Sequence, residues 1–322
     1  MSENYRLKPE MMNMYPDDKL PDQSWRAVTQ MAEPDEVEGY LLDEIFKALG
    51  LQADGRWRRW FGPVLSPFVR SFARQAAEFD RCVAQHGLQQ SAQLWLDRWI
   101  PGLNVYGDEL VPASGPVLIA ANHPGTFDGL AIASLIGRPD LKIVTAANPF
   151  FRALPNMRRY LIFSTLDTHV RMATTRNALR HLQDGCALLI FPSGKMDPDP
   201  LYFPEAARHA LSRWSASLEF FLRKIPRTRL IVATNFGFVA PEYMDHPLAR
   251  LRSGEIGRQK LAEFIQVIQQ VVHQRRVSHP PCVMFSEGLA LLPANQHFSS
   301  LQDQILAAAE KSLEISSSGC IG

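Results

Sequence analysis

The chain predicts an α/β fold, with a mixed central sheet flanked by helices and a smaller helical region before it. Three observations carry this expectation. From about Ile100 onward, short apolar runs at 117–121, 142–146, 160–163, 187–191, 229–234 and 282–285 alternate with stretches of helical spacing, the pattern of strands covered by helices. Before that point apolar residues recur at three and four, in Tyr40 to Leu42, Ile45, Phe46 and Leu49, then in Phe72 to Phe79 and Leu94 to Leu96. With 322 residues, 46% of them hydrophobic, the chain is also long enough to bury a sizeable core.

Residues 1–36 mix Met, Pro, Asp and Glu without period and read as a tail. A helical N-terminal domain is expected over 37–100 and an α/β domain over 101–322. Within the first, Arg56-Trp57-Arg58-Arg59-Trp60-Phe61 runs into Val64, Leu65, Phe68, Val69 and Phe72. Two readings stand for this stretch. Tryptophan and arginine together suit a membrane surface, since each has an apolar body and a polar end; an apolar helical stripe equally suits packing on the second domain.

Val117 to Ala121, bounded by Gly115-Pro116 and by Asn122-His123, reads as a buried strand. Pro124-Gly125 breaks the chain, and Phe127 to Ile136 has helical spacing, with Thr126 as the expected N-cap. His123 and Asp128 are placed across that corner. On one continuous helix they would point about 140° apart, whereas across a strand, a loop and a helix they can meet. Asp128 would then accept a hydrogen bond from one ring nitrogen and leave the other as a base. The competing reading makes Asp128 a helix cap and His123 an unrelated surface residue. Leu130, Ile132 and Leu135, with Pro149-Phe150-Phe151, suit either an apolar groove or the core.

The next candidate follows the strand Ala187 to Phe191, where Pro192, Ser193, Gly194 and Lys195 form a loop at the edge where open α/β sheets bind ligands. Its glycine and serine offer donors to an oxyanion or a phosphate, though Pro-Ser-Gly is also an ordinary turn. No glycine stands five residues before Gly194, so this is not a nucleotide-binding loop.

Taken as an ordered series, Gly102 to Gly107, Pro116 to Asp128 and Phe191 to Gly194 resemble the glycerol-3-phosphate and lysophosphatidate acyltransferase superfamily. In that superfamily Asn-His-x-x-x-x-Asp holds a catalytic histidine and its aspartate, here His123 and Asp128. Pro192-Ser193-Gly194, then Asp197 to Pro200 and Tyr202 to Pro204, are similar to the soluble plastid-type glycerol-3-phosphate acyltransferases. Asn148 to Arg152 and Ala178 to Gly185 extend the resemblance, which covers about residues 100 to 290. It implies transfer of a fatty acyl group from acyl-CoA or acyl carrier protein to a hydroxyl of glycerol 3-phosphate or a lysophospholipid, without a cofactor.

There are departures from the family pattern. The lysine that members carry near Ala147 or Asn148 is missing, as is an arginine after Leu161 to Phe163, and Met196 and Pro198 stand where the plastid type has arginines. Arg171, Arg176 and Lys195 are the basic residues best placed to replace them as phosphate ligands, although helical arginines often simply face solvent. The departures keep two alternatives open: acyl transfer to a hydroxylated lipid without phosphate, and a catalytically silent protein that binds lipid or acyl carrier.

Composition narrows the classes further. Net charge is +1, with no basic segment interleaved with aromatics, so nucleic acid is not an expected partner. The four cysteines form no Cys-x-x-Cys pair, and no metal site is expected. No signal peptide and no apolar run of spanning length are present. The expectation is a cytoplasmic protein that meets its lipid substrate in water or peripherally at a membrane.

Overall fold

A computed structural model describes residues 38, 55–165, 167–292 and 298–319 of the chain. The tail expected over 1–36 and the pattern from Tyr40 to Leu49 lie outside these residues, as do the side chains of Arg56 to Phe61.

The first long element, α1 (Gly55–Trp99), is two helices joined at Gly87, whose backbone leaves helical geometry with φ 77° and ψ 172°. That positive φ is one glycine adopts without strain. The chain folds back there: Phe79 and Trp95, which a straight helix would hold about 24 Å apart, have ring centroids 5.4 Å apart. Arg98 likewise reaches Glu78 at 2.8 Å.

Among the described residues seven strands form one sheet: β1 (Asn104–Tyr106), β2 (Val117–Ala121), β3 (Lys142–Ala146), β4 (Leu161–Ser164), β5 (Ala187–Ile190), β6 (Arg229–Phe236) and β7 (Cys282–Glu287). Their order is β1-β7-β6-β2-β5-β3-β4. All neighbouring pairs are parallel except β6 with β7. The six expected apolar runs all became strands. The three residues of β1 were too few to give a periodic signal.

The larger helices beyond α1 are α2 (Asp128–Leu135), α3 (Thr168–Gln183), α4 (Ser217–Lys224), α5 (Glu255–His273) and α6 (Leu301–Gly319). Strand β2 shows why the sheet must be covered on both faces. Val117, Ile119 and Ala121 belong to an apolar cluster that includes α1 residues Phe79, Trp95 and Trp99 and α5 residues Ala262 and Val271. Leu118 and Ala120 face a second cluster built on Leu182 of α3, Leu218 and Phe221 of α4, and Ile305 of α6. Alternation at period two, with both sets apolar, is the mark of a strand buried on both sides.

Because β2, β3, β4, β5 and β6 run in one direction, their carboxyl ends share one edge of the sheet. His123 follows β2, Asn148 follows β3, and Pro192 to Lys195 follow β5 along that edge. No helix among the described residues is long and apolar enough to cross a membrane.

Candidate active site

The edge is tied together before any functional group is placed. Asn122, the first residue after β2, donates from Nδ2 to the Asn235 carbonyl at 2.8 Å and accepts the Asn235 amide on Oδ1 at 2.7 Å. The Asn235 side chain donates back to the Asn122 carbonyl at 2.8 Å. This reciprocal pair fixes the ends of β2 and β6 against each other, and the chain leaves β2 in a defined direction. His123 then pairs with Asp197: its amide donates to Asp197 Oδ2 at 3.1 Å, and the Asp197 amide donates to the His123 carbonyl at 2.8 Å.

Helix α2 begins at Asp128, with Phe127 at the N-cap and no side-chain cap. Thr126 therefore does not cap this helix, contrary to the expectation from the sequence; the helix starts one residue later. Asp128 is fully buried in its first turn. Its carboxylate is 2.9 Å from His123 Nδ1 through each oxygen, and Oδ2 also accepts the Gly125 amide at 3.2 Å. With Nδ1 held by the carboxylate, the tautomer places the free position at Nε2, which meets no protein partner among the described residues.

The imidazole lies against the Phe191 ring, with centroids 4.6 Å apart and planes tilted by 35°. Its side chain keeps 32% of its surface exposed. Burial by itself would lower the ring's pKa. The Asp128 carboxylate outweighs this through charge and hydrogen bond, Glu263 and Asp197 add to it, and the pKa is raised to about 9.

His123, Asp128, Thr126 and Phe191 line a cavity of about 310 Å³, within the range of small-molecule pockets. Its walls are aromatic and aliphatic: Phe72, Phe79, Trp95 and Trp99 of α1 together with Ile143, Phe150, Phe151 and Leu161. Gln75 and Thr145 are its other polar lining residues, and no arginine or lysine is among them. Leu130 and the two phenylalanines of the expected groove line this cavity, whereas Ile132 is fully buried core.

The Ser193 hydroxyl lies 2.9 Å from both Asp197 Oδ2 and the Lys195 carbonyl, its single proton shared between these two acceptors. Gly194 takes φ 63° and donates its amide to the Phe191 carbonyl at 3.0 Å. Pro192 is buried and Lys195 exposed. The Ser193 hydroxyl and the Gly194 amide are therefore engaged within the loop and with Asp197. Arg171 and Arg176 are exposed on α3 and do not line the cavity. Arg213, which the sequence did not single out, reaches the loop by pairing with Asp197 Oδ1 at 3.1 Å.

Beneath the loop lies a feature that the sequence hid. Gln259, Glu263, Gln266 and Gln270 recur at four, three and four along α5 and are all buried. Gln259 donates to the carbonyls of Pro124 at 2.7 Å and Asp197 at 2.9 Å and accepts the Asp199 amide at 2.9 Å. Glu263 accepts the Thr126 amide. Asp199, fully buried, accepts the amides of Leu201, Gly237 and Phe238, yet burial pushes its carboxyl up to about 6. The legible signal was the spacing alone, four long polar residues on one face of a helix. The ordinary reading of such a face is solvent.

Gly125 sits where backbone must approach closely. A Cβ added there would lie 2.9 Å from Phe238 Cβ and 3.3 Å from Glu263 Oε1. Gly125→Ala is therefore expected to displace the span between His123 and Asp128 and to lower kcat by about tenfold or more. Steady-state rates of the purified variant check this, and an unchanged kcat would mean that the loop has slack.

Comparison with known proteins adds the following. Residues 102–216 match the family model described as Acyltransferase, a stretch that contains His123, Asp128 and Pro192 to Lys195. No curated protein matches the chain. Among solved structures, the 1-acyl-sn-glycerophosphate (LPA) acyltransferase PlsC from Thermotoga maritima aligns with 89% of this chain and 97% of its own, at 16% identity and a TM-score of 0.44. A likeness at that level carries no argument about substrate.

Proposed function

We propose that this chain, whose residues 102–216 match the family model described as Acyltransferase, moves a fatty acyl group from a thioester to a hydroxyl of a glycerolipid-type acceptor, with His123 as general base. One observation carries the reading: an imidazole whose Nδ1 is held by a buried carboxylate lines an apolar cavity. The base and the site for a hydrocarbon chain are adjacent, as direct transfer requires.

In the proposed step the acceptor hydroxyl approaches Nε2. As its oxygen attacks the thioester carbonyl, the proton passes to His123, and Asp128 stabilises the imidazolium that forms. The thiolate of the donor, acyl-CoA or acyl carrier protein, is the leaving group, and collapse of the tetrahedral intermediate leaves an ester. No serine or cysteine nucleophile enters. The acyl chain occupies the cavity, where each methylene removed from water contributes about 0.8 kcal/mol.

Two acceptor readings stand. The resemblance of the motifs favours glycerol 3-phosphate or a lysophospholipid, with Arg213, Lys195, Arg171 and Arg176 as the basic residues for its phosphate. A hydroxylated lipid without phosphate is favoured by the absence of arginine and lysine from the cavity lining. A labelled acyl thioester offered with each acceptor class separates them. Transfer to neither would overturn the enzyme reading and favour a lipid- or carrier-binding protein.

The cavity reading has its own check. Ala76 of α1 lines the cavity and is small. Ala76→Phe is expected to shift preference toward shorter acyl chains by about tenfold in relative kcat/KM, in line with the few kcal/mol that misfitting methylenes cost. A profile across donor lengths that matches wild type would place the acyl chain elsewhere.

A further inference from the structure

The reaction just described needs His123 and Asp128 to meet across four intervening residues, of which only Gly125 reaches Asp128 with its own amide. The support comes from α5. The Thr126 amide, in the middle of the span, donates to Glu263, and Gln259 one turn earlier takes the Pro124 carbonyl. Gly125, between the two, has its own amide on Asp128 and is closed in by Phe238 and the Glu263 carboxylate. Every residue from His123 to Thr126 thus has a backbone group bound by a side chain from another part of the chain or by Asp128.

We propose that Glu263 is a positioning residue of this site, whose carboxylate holds the Thr126 amide and thereby sets the geometry in which Asp128 orients His123. This rests on the acyl-transfer reading for its catalytic consequence, although the geometry itself does not. Three features distinguish Glu263 from an ordinary buried polar residue. It is 8% exposed, and among the described residues no arginine or lysine pairs with it. An unpaired carboxylate in such a place is costly, and burial pushes its pKa up to about 7. A glutamine would accept the same amide without that cost, so the acid has a use beyond the hydrogen bond.

That use is electrostatic. The charged groups that act on Glu263 are His123, which favours its ionised form, and Asp128, which opposes it. Glu263 in turn raises the pKa of His123, together with Asp128 and Asp197. Its charge therefore stabilises the imidazolium that the transfer step creates, while its oxygen keeps the loop in register.

The test uses two variants of the full chain, since their losses differ. Glu263→Gln keeps an accepting oxygen for Thr126 and removes the charge; Glu263→Leu removes both. The His123 titration midpoint, read by nuclear magnetic resonance of nitrogen-labelled histidine, is expected to fall by about half a pH unit or more in Glu263→Gln. The break in its kcat against pH should move the same way. Glu263→Leu is expected to lose about ten- to a hundredfold in kcat with KM for the donor within about threefold.

Wild-type kcat in Glu263→Leu, or an unmoved His123 midpoint in Glu263→Gln, would overturn the proposal. So would a glutamine variant that loses as much kcat as the leucine one with a lowered Tm, which marks a packing residue. The midpoint needs no substrate. If wild-type protein transfers acyl groups to nothing, the functional reading fails, and the histidine titration still decides the role of Glu263.

Discussion

His123→Ala is expected to lower kcat for acyl transfer by about a hundred- to ten-thousandfold, the range general-base assistance supplies. KM for the thioester donor should stay within a few-fold, because the cavity walls are hydrocarbon from α1, β3 and the short helix Pro149–Arg152 and do not depend on the ring. The assay is a labelled thioester with purified protein, and a variant that retained the wild-type rate would remove the base from the mechanism. The pH profile of the wild type gives a second check on the same residue. An imidazole with its pKa raised to about 9 is mostly protonated at neutral pH and cannot accept the hydroxyl proton. The base form grows as pH rises, so kcat/KM should climb toward a break near 9. The stability linkage has the opposite sign: because the folded pKa is raised, the stabilising contribution is complete below about 6.5 and is lost as pH rises through about 9. Activity from this ring is gained over the range in which its contribution to stability is lost.

Asp128→Asn is expected to be nearly as damaging, of the order of a thousandfold in kcat, with the fold retained. The amide keeps the size of the side chain but turns one oxygen into a donor, so it can face His123 Nδ1 with an N–H and invert the tautomer at Nε2. It also removes the strongest of the influences that raise the imidazole pKa, so the break in the pH profile should move well below 9. The two effects separate in one experiment: a lower break with a restored high-pH rate means that charge alone was lost, while a low plateau at every pH means that the tautomer was lost. An unchanged break would show that Asp128 does not govern the ring.

Much of this arrangement was legible in the sequence because it obeys local rules. The strands announced themselves as apolar runs, since a sheet buried on both faces leaves few polar positions along each strand. His123 and Asp128 could be paired because Pro124-Gly125 forces a corner between β2 and α2, and a five-residue spacing makes sense only across a corner. What stayed hidden is non-local. Asn122 meets Asn235 and Thr126 meets Glu263 across more than a hundred residues, and no periodicity reports such partners. The polar stripe of α5 was misleading in principle, because Gln259, Glu263, Gln266 and Gln270 look like a solvent face and instead supply hydrogen bonds to buried loops. Arg171 and Arg176 suit a phosphate by sequence position; α3 carries them exposed and outside the cavity lining.

The reversal at Gly87 has a consequence for how such a protein can diversify. One side of the cavity is a hairpin of α1, whereas His123 and Asp128 sit at the end of β2 and the start of α2. On the proposed reading, substitutions along Phe72, Ala76 and Phe79 are expected to deepen or shorten the hydrocarbon site without replacing a residue of the proton-transfer pair. Selectivity for tail length and competence for the chemistry are thus, on that same reading, written in different stretches of the chain.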